Sequence, residues 1–333
     1  MNKHLKIALM LLAVILFAIS FHASDSWLLL CYGLALFLFG MQCMEEGLQG
    51  LAGGLIEKIL GKSTQTPTKG MLFGMGATFL MQSTTLVSFL TMAFLSAGMV
   101  SLAGGIAIIL GANLGATSGI WLLALAGQNL SLSPIALPLV FFGILASFLG
   151  DKAKAAGRVL LGIGLIFLGI EAIKSGFTHF SHGVDFTQLP VSGGWGVALF
   201  ALAGLLLTVV LQSSHATLMI TLAALGGGQL ILLHGLAMAI GSNFGSSLST
   251  AVVGLLGGDR NGQRLVLAHL LFNGVTAILA LLLLLPLQWI VENLAALVGL
   301  GGNLLIQLAL FHTLFNALGV ALFWLGNPSW RRR

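Results

Sequence analysis

The chain has 333 residues, 58% hydrophobic and only 7% charged, with a mean hydropathy of +1.06. That excludes a soluble globular domain. Membrane spans need about 20 mostly apolar residues each, and the alternating short strands of a β-barrel are absent, so the composition predicts an all-α polytopic membrane protein. The net charge of +5 comes from basic residues scattered in short loops, which reports topology rather than a nucleic-acid partner.

In chain order, residues 1–26 carry Lys3 and Lys6 and then an apolar run from Ile7 to Ile19. A cleaved signal peptide and a retained first helix both fit this stretch. Spans are predicted at 27–47, 134–149, 157–176, 265–287 and 303–325, with two longer blocks at 71–126 and 196–256. Residues 48–61, with Leu48, Leu51, Leu55 and Ile59 on one side, read as a short interfacial helix. Cys31 and Cys43 read as small buried apolar residues.

The two blocks are related. Gln82-Ser83-Thr84-Thr85 returns as Gln212-Ser213-Ser214-His215, and Gly111-Ala112-Asn113-Leu114-Gly115 returns as Gly241-Ser242-Asn243-Phe244-Gly245, both at an offset of 130. Residues 76–127 align with 206–257 without a gap, and 15 of 52 pairs are identical. Gly33, Gly40 and Gly47 likewise correspond to Gly162, Gly169 and Gly176. The duplicated part is therefore 27–127 against 157–257, inside a first unit of 27–149 and a second of 157–330.

Orientation follows from lysine and arginine. Placing the N-terminus, loops 48–70, 150–158 and 258–264, and the C-terminal tail inside accounts for thirteen of fourteen basic residues, leaving Lys174 near the outer end of a helix. The first block then runs outward and the second inward, so the repeats are inverted. Each block holds two apolar segments yet makes an odd number of crossings. One segment in each must turn back or break, and the Gln-Ser and Gly-x-Asn-x-Gly motifs are the places for it.

Broken helices in inverted repeats place a substrate near mid-membrane, where half-helix N-termini face it. Free backbone N–H groups there make an anion site, and Ser, Thr, Gln and Asn add neutral hydrogen-bonding groups. Single hydroxyls such as Ser88, Thr91 and Ser96 are expected to bond to their own helix carbonyls. His269-Leu-Leu-Phe-Asn273 and His312-Thr-Leu-Phe-Asn316 echo one another, and a role in bracing helices is expected for them. Glu45 and Glu46 fall near a predicted helix end, so they need not lie in the bilayer core. No nucleophile elbow, buried acid–base pair or metal cluster is present, so an enzyme is not expected.

At these motifs the chain resembles the sodium–phosphate cotransporter family, which carries two Q-S-S-S-like motifs in inverted repeats, each followed by a G-[AS]-N-[IL]-G segment. The departures are Thr85 and His215 at the fourth position of each first motif, and Phe244 in the second Gly-Asn-Gly segment. The resemblance implies sodium-coupled movement of inorganic phosphate across the cytoplasmic membrane. It implies substrate contacts from Gln82, Ser83, Thr84, Thr85, Gln212, Ser213, Ser214, Asn113 and Asn243, and sodium contacts from Thr117, Ser247, Gly111 and Gly241. No cofactor beyond the coupling ion is expected. The chain ends at Arg333 soon after its last predicted helix, so a PhoU-like soluble domain, found in some bacterial relatives, is not expected. The residues themselves also favour a coupling cation. Neither block contains a lysine or arginine, so an anion there would lack charge compensation, and no buried carboxylate is a candidate proton carrier. Another oxyanion, an uncoupled channel and a membrane scaffold are the competing readings.

Overall fold

The computed structural model describes residues 3–63, 66–126, 128, 132–180, 193–257 and 259–326. Among them the chain forms thirteen α-helices and no strand: α1 Lys3–Ala23, α2 Asp25–Ser63, α3 Pro67–Met81, α4 Thr84–Ser96, α5 Leu102–Ala126, α6 Ser133–Ala146, α7 Asp151–Phe180, α8 Gly194–Leu211, α9 Ser214–Gly226, α10 Leu232–Gly257, α11 Arg260–Leu282, α12 Leu284–Leu297 and α13 Leu304–Gly326. Seven of these are long and apolar enough to cross a membrane. Large apolar side chains such as Leu137, Phe141, Val210 and Leu282 face outward, as a helical protein solvated by lipid requires.

Glycine stripes bring α2 and α7 together. A Cβ on Gly33 would stand 2.8 Å from Gly169 O, and one on Gly40 would stand 2.8 Å from Gly162 O. Because the earlier glycine of α2 meets the later glycine of α7, the two helices run antiparallel. Small residues at this seam allow backbone-to-backbone approach, which replaces the hydrophobic drive that lipid cannot supply.

The duplicated sequence folds into duplicated packing. A Cβ on Gly111 would stand 1.9 Å from Met71 O, and one on Gly241 would stand 1.8 Å from Ala201 O. Gly74 meets Ile108 as Gly204 meets Met238, and Gly115 meets Met75 as Gly245 meets Leu205. Contact partners advance together along both chains, so α3 runs parallel to α5 and α8 runs parallel to α10. The short helices between them, α4 and α9, must therefore run back. Each block is a helical hairpin followed by a full helix, as the odd number of crossings requires.

Two predicted elements differ. The separate helix expected over 48–61 is the continuation of α2, which runs unbroken to Ser63. Packing explains this: α7 supports α2 beyond the predicted end, with Gly47 and Gly50 both against Ala155. The single span expected at 265–287 is divided at Leu283. Pro286 lacks an N–H and its ring opposes the carbonyl four residues earlier, which ends α11 at Leu282. Between α7 and α8, residues 181–192 lie outside the described residues.

Candidate functional site

The two hairpin tips are built alike. Gln82 ends α3 at φ 51°, ψ 24°, and Gln212 ends α8 at φ 53°, ψ 24°. They are the only non-glycine residues with positive φ among the described residues. A side chain in this left-handed region costs about 1–2 kcal/mol. Each glutamine partly offsets that cost by turning its amide onto the last turn of its own helix: Gln82 Nε2 donates to Phe79 O at 2.6 Å, and Gln212 Nε2 donates to Val209 O. Ser83 and Ser213 follow in extended conformation and cap the returning helices, accepting from Leu86 N at 3.3 Å and Ala216 N at 3.2 Å. A helix start leaves its first N–H groups without intrahelical partners. The caps satisfy Leu86 and Ala216, which leaves the N–H groups of Thr84, Thr85, Ser214 and His215 for a ligand.

These starts lie deep in the fold. Gln82 Nε2 donates to Ser118 Oγ at 3.2 Å, about two thirds of the way along α5. The 25 residues of α5 span about 37 Å, more than the roughly 30 Å of a hydrocarbon core. Thr208, at the end of α8, meets Gly245 well short of the end of α10. Both hairpin tips thus fall inside the thickness of the bundle.

One cavity of about 460 Å³ receives both tips. Gln82, Ser83, Thr84, Thr85, Gln212, Ser213, Ser214 and His215 line it, joined by Ser246 of α10 and by Leu38, Met41, Gln42 and Glu45 of α2. The Thr84 and Ser246 hydroxyls lie 3.4 Å apart and tie α4 of one unit to α10 of the other. His215 is buried and its Nε2 has no hydrogen-bond partner. Among the described residues no lysine or arginine lines the cavity. Two helix starts, seven hydroxyl or amide side chains from the duplicated motifs and an unpartnered ring nitrogen converge here, a set suited to an oxyanion.

The remaining expected site residues lie elsewhere. Asn113 and Asn243 do not line the cavity. They enter a buried network with the two His-x-x-x-Asn segments. Asn243 Nδ2 donates to Asn273 Oδ1 at 3.3 Å and to Asn316 Oδ1 at 3.1 Å. Asn273 Nδ2 lies 3.1 Å and Asn113 Nδ2 lies 3.5 Å from His269 Nε2. This network ties α5, α10, α11 and α13 together beside the hairpins. Thr117 donates to Leu114 O and Ser247 donates to Phe244 O, so both hydroxyls bond within their own helices. Gly111 and Gly241 serve the close crossings with α3 and α8.

Glu45 corrects an expectation. The sequence places it near a helix end; because α2 continues to Ser63, Glu45 lies within the helix and faces the cavity. Ser83 lines the cavity with it. The signal was present in the sequence, since Leu38, Met41, Gln42 and Glu45 share one helix face by their spacing of three and four. Glu46, by contrast, pairs with Arg158 of α7 and accepts from Gln42.

A family model described as Na⁺/Pi-cotransporter matches residues 36–175, from α2 through the first hairpin to α7. The chain is 28% identical over 292 residues to the YqeW protein of Bacillus subtilis strain 168, an alignment that covers 86% of this chain and 90% of that protein. It is 28% identical over 295 residues to a Salmonella typhimurium protein named "Putative inorganic phosphate export protein YjbB", covering 87% of this chain and 52% of the relative. The protein of the same name from Escherichia coli strain K12 is 30% identical over 253 residues, 74% of this chain and 45% of its own length. The chain thus spans about half the length of these enterobacterial relatives. No solved structure matches it.

Proposed function

The chain belongs to the Na⁺/Pi-cotransporter-like family, and we propose that it is a secondary transporter that moves inorganic phosphate across the cytoplasmic membrane together with sodium. The observation that carries this reading is the meeting of both Gln-Ser motifs, one from each unit, in a single cavity within the bundle. Phosphate offers oxygens to the free N–H groups of two helix starts and to the surrounding hydroxyls and amides. These are neutral donors, and among the described residues no lysine or arginine lines the cavity, so the bound anion requires a cation beside it. Sodium supplies that charge, held by hydroxyl, amide and backbone oxygens at the breaks.

Alternating access follows if the two units stand inverted in the membrane. The antiparallel seam of α2 and α7 and the distribution of basic residues both support that orientation. The reading is of a carrier, which the family match supports. A coupled carrier runs in whichever direction its gradients drive, so the word export in the relatives' names is compatible with sodium coupling.

The test is uptake of ³²P-phosphate by proteoliposomes that contain the protein, with sodium or choline outside. Saturable uptake that needs sodium is expected. Non-saturating flux would indicate a channel, and no uptake of phosphate under either condition would overturn the reading.

A further inference from the structure

We infer that Glu45 is the side chain that holds the coupling sodium ion, beside the start of α4. This rests on the cotransport reading above and names a site within it. Among the described residues Glu45 is the only carboxylate that lines the Gln-Ser cavity. Its acidic neighbour Glu46 is already paired with Arg158. Among the described residues no lysine or arginine pairs with Glu45. Among the described residues His215 is the one other titratable group lining the cavity, and the structure gives its Nε2 no partner.

A bare carboxylate in an oxyanion site is a contradiction in charge. Carboxylate and phosphate repel one another, and more strongly within protein than in water. Sodium bound at Glu45 turns that repulsion into coupling: the empty site refuses the anion, and the sodium-loaded site accepts it. Hard cations of this kind take oxygen ligands. The carboxylate supplies the charged one, and Ser83, which lines the same cavity, lies at the N-cap of α4. Ser83 accepts from Leu86 N, so the carboxylate and the anion-facing helix start share one cavity wall. At the 129-residue offset of the glycine stripes the second unit has Lys174, which lines a different cavity with Gln128 and Asn303. The carboxylate is therefore a feature of one unit and not a repeated packing residue.

The test compares wild type, Glu45→Gln and Glu45→Asp, with Glu46→Gln as control, as purified full-length protein of matched size-exclusion profile. Binding of ³²P-phosphate and of ²²Na⁺ is measured at fixed pH, in sodium and in choline. In wild type sodium is expected to raise phosphate affinity by roughly 5- to 150-fold, and phosphate to raise sodium affinity by the same factor. Glu45→Gln is expected to lose ²²Na⁺ binding and the sodium response, and to bind phosphate in choline better than wild type does. Glu46→Gln keeps the response. If Glu45→Gln does not fold, Glu45→Asp decides: a weakened sodium dependence with coupling retained supports the site, and an unchanged one overturns it. A wild-type sodium response in Glu45→Gln also overturns it, as does phosphate binding driven by protons rather than sodium and lost in that variant. Absence of phosphate binding in wild type would instead tell against the transport reading itself.

Discussion

The His215 imidazole of the second unit lies directly against Gly119 of the first: a Cβ on residue 119 would stand 2.0 Å from His215 Nε2 and 2.7 Å from Gln82 Oε1. The absence of a side chain on α5 makes room for both groups at the cavity wall. The corresponding residues at the 130-residue offset are Thr85 and Ser249, a smaller side chain on the hairpin and a larger one on the long helix. Gly119→Ala should improve helix propensity by about 1 kcal/mol yet force the ring aside, at a typical overpacking cost of about 1–3 kcal/mol. Phosphate uptake is expected to fall, and Gly119→Ala combined with His215→Thr to recover part of it. Independent, additive effects of the two changes would show that the contact does not matter.

The glutamines can be separated into backbone and side-chain roles. Glycine tolerates positive φ without strain, whereas alanine does not. Gln82→Gly and Gln212→Gly should therefore keep a near wild-type Tm and lose transport, while the alanine variants lose about 1 kcal/mol or more of stability as well. Thermal melts beside uptake assays make the comparison. Full transport in both glycine variants would reduce the glutamines to turn formers.

Much of this fold was legible because its signals repeat. A gapless alignment at one offset located both hairpin tips, and the positive φ of Gln82 and Gln212 lies at those identical residues. The odd crossing number required a reversal in each block. What composition could not convey was helix continuity past a glycine: the predicted span ends at Gly47, yet contact of Gly47 and Gly50 with Ala155 carries α2 onward. That error hid Glu45. The asparagines illustrate a different limit. Asn113 and Asn243 repeat as faithfully as the Gln-Ser motifs, and repetition cannot tell a ligand contact from a brace. Only the positions of Asn273 and Asn316 on two other helices separate the two.

Orientation is open to direct labelling. In a background without Cys31 and Cys43, Lys152→Cys and Arg260→Cys should react with an impermeant maleimide only from the cytoplasmic side, and Asp185→Cys only from outside. Asp185 lies outside the described residues, and its expected side follows from the basic-residue distribution. Labelling of positions 152 and 185 from one face would end the inverted reading.

Asp259 joins the two halves at an exposed surface. Its Oδ1 accepts from Gly262 N at 2.8 Å, capping α11, and from Ser96 Oγ at 2.9 Å, at the end of α4. These bonds, the backbone one foremost, hold its carboxyl below the usual carboxylate range. A depressed folded-state pKa adds stability that is present above the unfolded pKa and lost as pH falls through the folded one. The Tm of wild type should therefore drop on acidification below the ordinary aspartate range. Asp259→Ala should start lower at neutral pH and lose less over the same interval. Parallel acid limbs in the two proteins would remove this role.

The buried asparagine network makes the last prediction. Asn243 donates to two carbonyl oxygens on different helices, Asn273 Oδ1 and Asn316 Oδ1, and its own backbone carbonyl accepts from Asn273 Nδ2 at 3.4 Å. Asn273 and Asn316 are at most 2% exposed, so water cannot readily replace a lost donor. Leaving a buried polar group unpaired costs about 1–3 kcal/mol, and Asn243→Ala strands two of them. If Asn243 is a brace, the variant should show a clearly lower Tm, while the molecules that remain folded bind phosphate with wild-type affinity and the same sodium response. If it is a substrate contact, as its place in the repeated motif first implied, affinity should fall by roughly 10-fold or more with little change in Tm. Melting curves and ³²P-phosphate isotherms on the same preparation separate the two roles, because each moves one measurement and spares the other. The geometry favours the brace: the amide of Asn243 is already engaged across two helices, and the cavity wall is formed by the hairpin tips beside it.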